Sequence, residues 1–432
     1  MIIRALLALL VTLSLPSYSS AASIVLTADR MVDVVSGRIV EQPAIVIVDG
    51  RITAIGPAAS VQVPPDARQL TLKGLTLLPG LIDMHVHLDS DPSYGGYRRL
   101  QFSDRFWSVL TVPHALRTLQ AGFTTVRNVG ADAWNDVGLR QAIEQGKIQG
   151  PRVVSAAEGF GATGGHCDST YFPPSMDEKA PFSVNSVDEA RLSVRSVRKY
   201  GAQVIKICAT GGVFSLNTEP GVQQLTLEEM KAVVDEAHMW GLKVAAHAHG
   251  ATGIRDAALA GVDTIEHASL IDDQGIAAVK KAGAWLSMDI YNSEYTQAEG
   301  KKNGVLEENL KKDLEIAETQ REGFRRAHAA GVRMVYGTDA GVYPHGDNAK
   351  QFAWMVRYGM TPLEAIRAAT VDAAEALGSH GRDIGVLASG KQADIIAVAG
   401  NPLDDVRLLE HVAFVMKGGI VVKESEQARS GP

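Results

Sequence analysis

Cysteine is almost absent from this 432-residue chain: Cys167 and Cys208 are the only two. Neither stands in a CxxC pair, which excludes a dithiol redox motif and a zinc knuckle, and two cysteines so far apart are expected to be unpaired. A dominant charge sign is missing as well. Forty-two basic residues against 49 acidic ones leave a net charge of −7 with no basic block, so nucleic acid is not an expected partner. Beyond the first residues no apolar run approaches the roughly 18 needed to cross a bilayer, and no membrane span is expected.

What is present begins with a leader. "MIIR" carries a positive charge, "ALLALLVTLSLP" is a short apolar core, and "SYSSAAS" offers small residues for cleavage near Ala22. Residues 1–22 therefore read as a secretory signal peptide, and the expected location is secreted or periplasmic, where disulfides are permitted. With 46% hydrophobic and 21% charged residues, the chain has the composition of a globular protein.

From Ser23 to about Thr76, Val-, Ile- and Thr-rich pieces such as "AIVIVDGRITAIG" alternate with turn residues, the pattern of short strands. Similar text returns in "ADIIAVAG" and "HVAFVMKGGIVV". Residues 23–76 and 386–427 are expected to form one small β-sandwich domain built from both chain ends, with residues 77–385 inserted between them. The insert alternates strand and helix. Capping-box patterns open three helices, at Ser186 with Glu189, Thr226 with Glu229, and Thr361 with Glu364. Eight apolar strand candidates run from "LIDMHVHL" to "RMVYGTDAG". The expected fold class is α/β, a parallel (β/α)8 TIM barrel. The rival is a doubly wound open sheet, which the absence of GxGxxG after the first strand disfavours.

The chemistry gathers at strand ends. The first strand ends in His85-Val86-His87, the fourth carries Lys206, the fifth ends in His247-Ala248-His249, the sixth in His267 and the eighth in Asp339. Side chains two apart on a strand share a face, so His85 and His87 point together into the barrel mouth, where such barrels build active sites. A lone strand histidine is usually a core residue; one set spread over five strand ends is not explained that way. His114, His238, His328, His380 and His411 stay under the core or surface reading. Imidazoles and a carboxylate suit zinc first among divalent ions. Six candidate ligands point to two ions with an anion between them. Lys206, an otherwise costly buried ammonium, can supply that anion by adding carbon dioxide to form a carbamate.

These motifs resemble the amidohydrolase superfamily from about Ser23 to Val422: "LLPGLIDMHVHL" is similar to its opening motif, "GTDAG" to its strand-eight motif, and "GVLASGKQADIIAVAGNPLDD" to the return into its small β domain. The resemblance implies His85 and His87 on one metal with Asp339, His247 and His267 on the other, and carboxylated Lys206 bridging the two. The resemblance also implies that His166 of "GATGGHCD" assists the scissile carbonyl; in the hydrolysis expected of such a site Asp339 serves as base and then acid. "KICATGG", "AAHAHG" and "IEHAS" look most like the prolidase-like and imidazolonepropionase-related branch, which includes Xaa-Pro dipeptidases, N-acyl amino acid carboxypeptidases and ochratoxin A amidohydrolases.

The expected activity is hydrolysis of the amide joining an acyl group or amino acid to a C-terminal amino acid, by metal-activated hydroxide. Dipeptides, N-acyl amino acids and ochratoxin A are the candidate small-molecule substrates. His249, His345 and Tyr291 are candidates for holding the substrate, and a homo-oligomer is compatible with the reading. The alternatives keep the site but change the bond to a cyclic amide, lactone or phosphotriester, or make the chain a periplasmic metal-binding protein. An open cavity with long Gly-rich loops speaks against storage, since a storage site closes its coordination sphere.

Overall fold

The structure is a computed structural model that describes residues 23–424; the leader expected over residues 1–22 and the last residues of the expected terminal domain lie outside it. One eight-stranded sheet is woven from both chain ends. Its order is Ile420–Glu424, Phe414–Lys417, Ile395–Ala399, Arg68–Pro79, Ser23–Asp33, Pro43–Val48 and Arg51–Pro57, with Arg38–Glu41 paired to Ser23–Asp33. The register Ile396 opposite Leu78 splices the C-terminal strands onto the N-terminal ones. Leu26, Ile45, Ile47, Leu77, Ile395 and Phe414 give this sheet its own core.

The expected eight parallel strands are all present, as β1 Leu81–Val86, β2 Phe123–Asn128, β3 Arg152–Ser155, β4 Val204–Cys208, β5 Lys243–Ala248, β6 Thr264–His267, β7 Trp285–Ser287 and β8 Met334–Val335. A further two-residue strand, Phe160–Gly161, pairs with β4. All five residues of β4 are buried, as parallel strands covered by helices must be. Strands β1 to β3 form one ladder, and Phe160–Gly161 with β4 to β8 form another. Backbone bonds join them at both margins: Gln203 N donates to Ser155 O at 2.7 Å, and Met84 N to Tyr336 O at 2.8 Å. The result is a TIM-barrel-like α/β domain.

Strand Arg68–Pro79 passes into β1 through Gly80 alone. A Cβ there would lie 2.1 Å from Thr124 Oγ1, so only glycine lets the terminal sheet sit this close to the barrel. The capping pattern is followed closely. Thr226 with Glu229 and Thr361 with Glu364 form complete boxes. Ser186 accepts from Glu189 N, while the Glu189 carboxylate turns to Asn185 N instead.

The cysteine expectation is overturned. Cys167 and Cys208 form a disulfide across a sequence separation of 41, with Cα atoms 5.7 Å apart. Cys208 closes β4 and Cys167 lies in the loop beyond β3, so adjacent strand ends bring the two together where sequence distance does not.

Candidate active site

The strand ends converge on one cavity of about 560 Å³. His87, His166, Lys206, His247, His249, His267 and Asp339 line it, while His85 lies just beneath, 1% exposed. Six imidazoles, an amine and a carboxylate therefore share one floor. The rings of His85 and His87 are 5.3 Å apart, His85 and His267 4.9 Å, and His247 and His267 4.7 Å. His166 comes down from the loop after β3 to stack on His247 at 4.2 Å.

Two of the ligand positions require unusual backbone. His267 and Asp339 have φ of +69° and +57°, a left-handed conformation that costs a non-glycine residue roughly 1–2 kcal/mol. At Asp339 the turn is held by its own N–H, which donates to His85 O at 2.8 Å. It carries the carboxylate to 3.3 Å from His85 Nε2 and 3.4 Å from His87 Nε2. Strain of this kind persists where the surroundings overdetermine it and concentrates at functional sites.

The hydrogen bonds fix which ring nitrogens are free. His85 Nδ1 faces Glu266 Oε2 at 3.0 Å, His267 Nδ1 faces Asp289 Oδ1 at 2.9 Å, and His87 Nδ1 faces Gly130 O at 2.9 Å. Each partner only accepts, so each Nδ1 carries a proton and Nε2 is the atom left to meet an ion. At His247 the pattern reverses: Nε2 faces Gly211 O at 3.0 Å, which frees Nδ1. His85 Nε2 is buried without a hydrogen-bond partner, and a buried orphan donor atom of this kind suits a metal. Among the described residues three donor triads have ligand atoms within 4.8 Å of one another: His85, His87 and Asp339; His247, His249 and His267; and His267, Asp289 and Asp339. Residues and chemistry thus fit divalent ions.

Burial pushes the imidazoles of His247 and His249 well below their ordinary pKa, and that of His87 down to about 4, so these rings stand neutral and able to donate a lone pair. Burial alone would raise the Asp339 carboxyl, but His85 and His87 beside it hold it well below the usual carboxylate range. Lys206 is 5% exposed. Burial drives its amine down to about 8 against the pull of Glu266 and Asp339, so a neutral fraction exists near pH 7.

Two positions expected to hold substrate fall elsewhere. His345 is buried behind β1, where its Nε2 donates to His87 O at 3.1 Å and its ring stacks on His114 at 4.6 Å. Tyr291 packs edge-on against Tyr343 at 5.0 Å. Neither lines the cavity. His249 does, with Nδ1 2.7 Å from Ser269 Oγ, and it stands among the metal donors as well as toward the substrate space.

Sequence reading missed the layer beneath the floor. Arg127 of β2, 2% exposed, sends Nη2 to Glu266 Oε1 at 2.7 Å and Nε to Met84 O at 2.6 Å. Glu266, fully buried on β6, also accepts from Thr264 Oγ1 and orients His85. Gln320 reaches Asp289 Oδ1 at 3.1 Å, steadying the carboxylate behind His267. The signal was available: Arg127 is a charged residue inside a strand candidate, as Lys206 is.

Residues 76–423 match the model of the amidohydrolase family. Ochratoxinase of Aspergillus niger is 31% identical over 417 residues, covering 90% of this chain and 84% of that protein. A solved Xaa-Pro dipeptidase with methionine bound in its active site superposes with a TM-score of 0.87 at 35% identity, over 93% of this chain and 99% of that one. The crystal structure of the Aspergillus niger ochratoxinase superposes with a TM-score of 0.82 at 29% identity, over 94% and 96% of the two chains.

Proposed function

The chain belongs to the amidohydrolase family, and from that premise we propose that it is an exported, binuclear metal-dependent hydrolase that cleaves the amide to a C-terminal amino acid. One observation carries the reading: His85, His87, Lys206, His247, His267 and Asp339 meet at the floor of a cavity with room for a substrate. His85 and His87 through Nε2, with Asp339, would hold one ion. His247 through Nδ1 and His267 through Nε2 would hold the other, and Lys206, carboxylated by carbon dioxide with loss of one proton, would contribute an oxygen to each. Zinc fits this donor set first. Bound there, divalent metal supplies Lewis acidity that polarises the amide carbonyl and lowers the pKa of water to about 7.

The remaining work falls to the chain. Asp339, ionised and held between two imidazoles, takes the proton of the attacking water at its carboxylate and returns it to the leaving nitrogen. His166, whose imidazole burial lowers to about 3, offers a neutral ring over His247 for the carbonyl oxygen. Glu266 and Asp289 keep the Nδ1 protons of His85 and His267 in place, the outer-shell duty that orients ligating histidines. The margin bonds between the two ladders support reading the eight strands as a closed barrel, to which the sheet built from both chain ends is attached as the expected β-sandwich domain.

Cavity size and walls support a bulky substrate. About 560 Å³ lies in the range of sites for drug-sized ligands. Among the described residues seven Phe, Tyr and Trp side chains line it, including Tyr94, Tyr97, Trp107, Tyr171 and Phe214. An N-acyl amino acid with a broad apolar acyl group, ochratoxin A included, fits such walls better than a small dipeptide. The test is turnover by metal-loaded protein on N-acyl amino acids, dipeptides and ochratoxin A, beside a lactone and a phosphotriester. Release of a free amino acid is expected; cleavage of the lactone or phosphotriester alone would refute the amide assignment. The apolar leader and the disulfide support export to an oxidising compartment.

A further inference from the structure

The disulfide sits at the centre of this site. Cys208 is two residues beyond Lys206 on β4, so both side chains take the same face of the strand, and both line the cavity. Cys167 directly follows His166. The bond therefore runs from the strand that carries the amine to the loop that carries the overhanging imidazole.

The surroundings are shaped to admit it. A Cβ on Gly161 would lie 3.2 Å from Cys208 Cβ and 3.4 Å from Cys167 Cβ, and one on Gly159 would lie 3.2 Å from Lys206 Cγ. A Cβ on Gly212 would come within 2.3 Å of the His166 ring. Three glycines thus leave the space that the cystine, the lysine stem and the imidazole occupy. Beyond the cystine the loop is held by polar bonds. His166 N donates to Gln224 Oε1 at 2.9 Å, His166 Nδ1 faces Ser215 Oγ at 2.9 Å, Tyr171 OH donates to Phe214 O at 2.8 Å, and Thr170 Oγ1 accepts from Leu216 N at 3.0 Å. Asp168 accepts from Gly164 N and Ala180 N, and Asn185 Oδ1 accepts from Thr163 N. Residues 173–179 are exposed, and the only regular structure in this stretch is the short turn Pro174–Met176. Such a segment, poor in buried apolar contacts, opens locally at low cost.

We propose that Cys167–Cys208 is a positioning element of the active site: it pins His166 over His247 and makes the efficient form of the enzyme the oxidised one. The role given to His166 rests on the function proposed above; the pinning itself does not. Opening the bond requires two electrons and two protons. A dithiol supplies both, becoming a cyclic disulfide and leaving Cys167 and Cys208 as thiols.

The test uses the full-length, metal-loaded protein in three forms: oxidised wild type, wild type reduced under native conditions by a dithiol and then freed of it, and C167A/C208A. Alkylation with mass spectrometry counts free thiols. Carbethoxylation of His166 by diethyl pyrocarbonate, followed by peptide mass, reports the freedom of the loop without any turnover. Both opened forms are expected to modify His166 at least about fivefold faster and to be cleaved sooner within residues 162–182. They should keep their metal and lose kcat about tenfold, with KM changed far less. Reoxidation of the reduced wild type should restore the starting values, which keeps the test decisive if C167A/C208A folds poorly. Two free thiols in exported wild type, or unchanged His166 modification on opening, would overturn the proposal. Faster modification with no amide turnover in any form would uphold the pinning and sink the function instead.

Discussion

Replacing Arg127 with Met tests how the floor of the site is held. The guanidinium and the Glu266 carboxylate are 2% and 0% exposed and 2.7 Å apart. Unit charges about 4 Å apart attract by about 4 kcal/mol at an effective dielectric near 20. Removing one partner of a buried pair costs about 3–5 kcal/mol, because the other charge stays buried without compensation. Glu266 would keep His85 Nδ1 at 3.0 Å and the Thr264 hydroxyl, so the lower end applies, about 3 kcal/mol. At roughly 2–4 °C per kcal/mol for large domains, Arg127→Met should lower Tm by about 6–12 °C in calorimetry. Arg127→Met with Glu266→Gln should recover part of that loss, since no uncompensated charge remains. A Tm within 1 °C of wild type for Arg127→Met, or a double variant as destabilised as the sum of the singles, would refute the argument.

Asp339→Asn removes the proton acceptor while leaving an oxygen near His85 and His87; kcat should fall by about 10²–10⁴-fold with weakened but measurable metal by elemental analysis. Lys206→Ala deletes the only amine at the cavity floor among the described residues; metal content should drop by at least one ion per chain, and an unchanged content would rule out the bridge. Lys417, pushed down to about 8 by burial and by the nearby Arg152 guanidinium, gives a pH test away from the site. Between pH 8 and 10.5 the unfolded chain holds a proton that the folded chain has released, so this residue makes stability rise with pH across that window. Chemical denaturation of Lys417→Met against wild type should show that rise removed.

Much of the fold was legible because its cues are local. Apolar runs bounded by turn residues marked all eight strands, and Thr-x-x-Glu marked two helix starts that are capped as written. The HxH pair of β1 was legible for the same reason, since alternation along one strand fixes which side chains share a face. Loop residues were not: His345 and Tyr291 follow no period, and packing turned both away from the cavity.

By itself the sequence determined the order of strands and helices, the placement of His85, His247, His267 and Asp339 at strand ends, and the anomaly of Lys206 inside an apolar strand. Only the tertiary structure decided that Arg127 finds Glu266, that Cys167 finds Cys208, and which nitrogen of each imidazole is free. Those outcomes depend on pairs 41 and 139 residues apart meeting within bonding distance, and such distances are set by how strands pack around a common centre, which no local pattern encodes.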